Sequence, residues 1–123
     1  MTKSYVKYDE TKNRVYLVFK GTHDLLEATR MRNEYAQAIE QAHPGFTVLA
    51  DFKDYKPGTK EVQEVHTSAV HLAEEAGVSK VARVMGETPL GEMQISRIAS
   101  KEVSYPSKSF VTVEEAEKFL DEK

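Results

Sequence analysis

The feature that most constrains this chain is a change of period that recurs along it: short strand-like segments alternate with stretches whose apolar residues return at helical spacing. Residues 4–9 (SYVKYD) and 14–20 (RVYLVFK) are rich in β-branched and aromatic side chains and are separated by a polar ETKN loop, the pattern of a hairpin. In the second segment Val15, Leu17 and Phe19 alternate with Tyr16 and Val18, so both faces are apolar, as in a central strand covered on both sides. Past Gly21 the period becomes helical, with Leu25, Ala28, Met31, Tyr35, Ala38, Ile39 and Ala42 on one broad face. Asp24 and Glu27 suit a capping box at its start, and His43-Pro44-Gly45 a stop at its end.

The alternation continues. Residues 46–52 (FTVLADF) form a short apolar run that fits a buried strand, and Asp51 is expected to open a polar loop, DFKDYKPGT. Thr59 then caps a helix with a stripe of Val62, Val65, Ala69, Leu72, Ala73 and Ala76, closed by Gly77. A strand over 80–85 (KVARVM) follows, and Thr88-Pro89 starts a helix running to about residue 101. A strand over 107–111 leads to a last helix, capped by Thr112 and Glu115, that carries Ala116, Phe119 and Leu120. The predicted order is ββαβαβαβα in one domain spanning 1–123. This is an α/β fold with a mostly parallel sheet, an antiparallel strand from the N-terminal hairpin, and helices packed on the sheet.

Length and composition bound the function. A chain of 123 residues with 40% hydrophobic side chains has room for one core. Seventeen Lys and Arg against 20 Asp and Glu leave no basic excess to attract nucleic acid. With no cysteine there is no disulfide framework, thiol nucleophile or Cys-ligated metal. No long apolar stretch marks a signal peptide or a membrane span, so a cytoplasmic location is expected.

The opening hairpin, the strand VLADF with its aspartate, and the closing FVTVEEAEKFL at 110–120 together resemble the SpoIIAA-like family with the STAS (anti-sigma factor antagonist) fold. The resemblance covers nearly the whole chain as architecture. It implies a non-enzymatic module that binds a protein partner or, in some members, a nucleotide or small ligand; it also implies kinship with the lipid-cradling half of CRAL-TRIO domains. In the anti-sigma antagonists a serine in a D-S-x-G turn at the start of the second helix is the phosphorylation switch. Here Lys56-Pro57-Gly58-Thr59 stands in that place, so Thr59 occupies the position without the motif, and an ordinary N-cap is the simpler expectation.

Candidate chemistry is sparse. Gly86 and Gly91 have the spacing of a phosphate loop, but Glu92 and Met93 replace the Lys and Ser/Thr that would hold phosphate and Mg²⁺. The four histidines, His23, His43, His66 and His71, offer no i,i+4 pair for zinc, and His66 and His71 point to different sides of one helix. No metal or cofactor is therefore expected. His71 with Glu75 makes an exposed i,i+4 pair, and His66 is expected to be half-buried with one backbone partner. At the carboxyl ends of the strands His23 and Asp24 meet Asp51 and Asp54, which form either an acid–base or cation site or a helix cap and solvated turn residues. Arg32 falls on the apolar face of the first helix and must either run to its edge or reach an anionic group.

Two functional readings result. One is a partner-binding or self-associating STAS-like module that uses the loop from Asp51 through Asp54 to Thr59 and the helix bearing Met93 and Ile98, whose apolar residues spread over more than half its circumference. The other is a carrier of a small molecule or lipid, with a pocket between the first two helices and the sheet near Arg32, Tyr35 and His66.

Overall fold

The computed structural model describes residues 4–56, 58–85 and 105–122. The helix expected from Thr88 to about residue 101, with Met93 and Ile98, and the glycine pair Gly86 and Gly91 lie outside the described residues. The described elements are β1 (Tyr5–Asp9), β2 (Arg14–Thr22), α1 (Leu25–Gln41), β3 (Thr47–Lys56), α2 (Lys60–Glu75), β4 (Lys80–Val84), β5 (Ser107–Phe110) and α3 (Val113–Asp121). The strands form one sheet in the order β1-β2-β3-β4-β5, antiparallel at β1–β2 and parallel throughout the rest.

Strand β2 pairs on both edges and is apolar on both faces, as its alternation predicts. Val15, Leu17 and Phe19 meet Val48, Ala50 and Phe52 of β3 under Met31, Tyr35 and Ala38 of α1 and Ala73 of α2. Tyr16 turns to the other face, where Leu49, Ala82 and Val84 pack against Ala116 and Leu120 of α3. Arg14 anchors α3 there. Its buried guanidinium donates to Glu117 at 2.7 Å and Asp121 at 2.8 Å, and the Tyr16 hydroxyl donates to the same Glu117 oxygen.

The helix caps follow the sequence: Asp24 accepts the Glu27 N–H at 2.7 Å, Thr59 accepts that of Val62, and Thr112 that of Glu115. Two expectations are corrected. Leu25 stands 52% exposed in the first turn of α1, and the buried face of that helix starts at Ala28. Strand β3 also does not end near Asp51. It continues to Lys56 because β2 keeps pairing with it to Thr22, through a one-residue slip between Val18↔Asp51 and Lys20↔Asp54. The extra residue in β3 is a bulge that reverses the in–out alternation, so Tyr55 joins Phe52 on the α1/α2 face.

Candidate functional site

The carboxyl ends of β2 and β3 and the starts of α1 and α2 converge on a cluster of rings. Phe19 stacks on Phe52, with ring centres 4.4 Å apart, and on His23 at 5.3 Å; it meets Tyr55 and His66 edge-on at 5.6 and 5.1 Å. His23, Tyr55 and His66 also touch one another, at 5.2, 5.4 and 5.9 Å. The two helix starts are adjacent. A Cβ at Gly58 would lie 3.4 Å from the His23 carbonyl oxygen and 3.0 Å from a Val62 methyl, so this position needs glycine for close approach.

The cluster is buried and only partly satisfied. His23, Tyr55 and His66 are 2%, 2% and 8% exposed, and among the described residues His23 Nδ1, the Tyr55 hydroxyl and His66 Nε2 have no hydrogen-bond partner. Burial and the neighbouring His23 push the His66 imidazole down to about 4, and burial lowers His23 as well, so both rings are neutral at pH 7. Burial likewise pushes the Tyr55 phenol up to about 12. The half-buried His66 with a backbone partner is thus corrected: rings surround it, and among the described residues Nε2 has no partner.

The acid–base alternative at this end of the sheet is not assembled. Asp51 alternates with Leu49 and so faces away from His23; it is 6% exposed and takes Lys53 Nζ at 2.5 Å. Asp54 pairs with Lys20 at 2.9 Å on that same far side, which holds its carboxyl below the usual range. Asp24 is the cap of α1. The bulge in β3, invisible to a reading of short apolar runs, is what moves Asp54 out of a loop and brings Tyr55 in.

Arg32 resolves to the edge of its helix face, where Nε donates to Ser68 Oγ of α2 at 2.8 Å and ties the two helices together. Tyr35 is 4% exposed, and its phenol is raised well above the ordinary value by burial. It lines a mostly apolar cavity of about 80 Å³ with His66, Arg83 and Tyr105. Small-molecule sites run to roughly 300–1,000 Å³, so this space falls well short of a lipid. Thr59 is an exposed N-cap.

The ring contact of His23 with His66, 43 positions apart in the sequence, does not show when histidines are compared along one helix. The available signal was positional: His23 follows a strand, and His66 lies beside the apolar stripe of the next-but-one helix.

No known family profile matches the sequence, and no curated protein matches it. Among solved structures, the chain is similar to an uncharacterised protein of the DUF3478 family with a SpoIIAA-like fold from Shewanella loihica PV-4. The TM-score is 0.70 at 14% identity, over 95% of this chain and 91% of that one. It is also similar to the anti-sigma factor antagonist SpoIIAA in its unphosphorylated form, with TM-score 0.65 at 15% identity over 95% and 96% of the two chains. The chain therefore has the SpoIIAA-like α/β fold that its sequence resembles.

Proposed function

We propose that the chain is a non-enzymatic, cytoplasmic regulatory module of the STAS type that works by contact with a protein partner. The observation that carries this reading is the exposure of Leu25 and Leu26, 52% and 81%, in the first turn of α1, beside the α2 start that Gly58 and Thr59 form. Two adjacent exposed leucines at the end of the sheet where a α/β fold of this kind presents its loops make an apolar contact point. The likeness in fold to an anti-sigma factor antagonist supports a protein as the occupant. Among the described residues no helix is long and apolar enough to cross a membrane. Met93 and Ile98 belong to the same proposal as a second contact, on the sequence argument alone.

The test compares the wild-type chain with Leu26→Glu, and separately with a Met93→Glu/Ile98→Glu variant, by affinity capture from the host and by light scattering. A defined partner, or a second copy, retained by the wild type and lost from either folded variant supports the reading. Identical capture and oligomeric state for all three overturns it.

A further inference from the structure

Strand β4 sets a cation against an apolar face. Arg83 alternates with Ala82 and Val84, which belong to the α3 side, and so shares the α1/α2 side with Val81. There it is half-buried and lines the cavity of about 80 Å³ between the helices and the sheet. Burial works against its positive charge, and among the described residues no carboxylate pairs with it. Its partners are neutral hydroxyls of the neighbouring strand: Nε donates to Ser109 at 3.1 Å, and Nη1 donates to Ser107. Both hydrogens of Nη2 and the second one of Nη1 have no acceptor among the described residues.

The surroundings specify what balances this charge. A guanidinium withdrawn from water is costly without a counter-charge, and its planar fork matches a carboxylate. Ser107 and Ser109 accept from it and keep their own protons to give to an anion. The Tyr105 phenol, on the same cavity and raised chiefly by burial, adds another donor, while the field of Glu74 at Tyr105 works against an anion. The other titratable groups of the wall, Tyr35 and His66, are neutral at pH 7, so among the described residues Arg83 is the one charge on this space.

The rest of the wall is hydrocarbon, with Leu17, Val48 and Ala50 from the sheet and Ala69 and Val70 from α2. An apolar cavity of about 150 Å³ takes one benzene molecule, so about 80 Å³ takes roughly three or four carbon atoms. An inorganic anion gains the cation without the walls. An alcohol gains the walls without the cation, and a long acyl chain does not fit.

We propose that Arg83, Ser107 and Ser109 bind a short-chain monocarboxylate, whose carboxylate takes the remaining N–H groups of the guanidinium and whose hydrocarbon tail fills the cavity under α2. The anchor differs from Arg32, which Ser68 holds at the edge of α1. The site stands independently of the partner-binding reading.

The experiment is a titration of the ¹⁵N-labelled chain with sodium butyrate at pH 7, followed by amide shifts. n-Butanol, sodium octanoate and sodium phosphate are titrated in parallel at matched ionic strength. The expected result is saturable one-to-one binding of butyrate at millimolar concentration, with the largest shifts in β4 and β5 around Arg83. The three comparison probes should each bind at least about tenfold more weakly. Arg83→Gln, which keeps a donor for the serines and removes the charge, should weaken butyrate at least about tenfold. Ala69→Leu, which fills the cavity, should abolish binding, and Lys108→Gln, at an exposed position, should leave it unchanged. Shifts that never saturate, phosphate or n-butanol binding as tightly as butyrate, or equal butyrate affinity in Arg83→Gln overturn the proposal. Should Arg83→Gln fail to fold, the butyrate and n-butanol comparison in the wild type and the Ala69→Leu titration decide.

Discussion

Acidification from about pH 7 to about pH 5 should destabilise the fold through His66, and the size of the effect follows from its surroundings. The imidazole is nearly fully buried, and its pKa drops from 6.5 to about 4 because burial, and then His23, disfavour the charged form. A folded-state pKa below the unfolded one means that the unfolded chain takes up the proton first. Stability is therefore complete above the unfolded value and is lost as pH falls from about 6.5 toward 4. At about 1.4 kcal/mol per unit, the loss is about 2 kcal/mol by pH 5 and about 3 kcal/mol below pH 4. His23, also lowered mainly by burial, adds in the same direction. Urea unfolding at both pH values measures the difference for the wild type and for His66→Phe. The variant should lose about 2 kcal/mol less than the wild type over this interval. A wild-type stability that is flat between pH 7 and pH 5, or an equal loss in the variant, would refute the reasoning.

Other substitutions probe the remaining supports. Glu117→Ala leaves the buried Arg14 guanidinium with Asp121 and removes the acceptor of Tyr16, so chemical denaturation should show a loss of about 3 kcal/mol. Hydrogen bonds from Tyr16, Arg14 and Lys12 outweigh burial and hold the Glu117 carboxyl below its ordinary value; its contribution should therefore persist above about pH 4.5 and fade as pH falls below it, a second acid phase absent from Glu117→Ala. Thr59→Ala should cost about 1 kcal/mol as a lost cap, read from thermal unfolding. Phe46→Ala, at a 1% exposed ring, should cost about 3–5 kcal/mol in the same assay.

Most of the architecture is written in local pattern. The two-faced apolarity of residues 15–19 places β2 inside the sheet, and Asp24, Thr59 and Thr112 start their helices where capping chemistry predicts. What eluded the sequence is non-local. Asp51 and Asp54 read as loop residues because their segment is polar, yet the pairing of Lys20 with Asp54 and of Gly21 with Tyr55 extends β3 and turns the two carboxylates away from His23. Arg32 is indifferent to its own helix and finds its partner in Ser68 on the next. The ring cluster arises only when a bulge swings Tyr55 inward and the close approach at Gly58 brings α2 to His23. Neither the bulge nor that contact leaves a periodic trace.

The measurement that tests the central claim most directly is native mass spectrometry, beside denaturing mass spectrometry, of the chain isolated from its own host with and without Leu26→Glu. The account predicts a non-covalent complex with a second protein chain that disappears on denaturation and is missing from the folded variant. A chain that flies without any protein partner, or that carries an organic small molecule in its place, would contradict it.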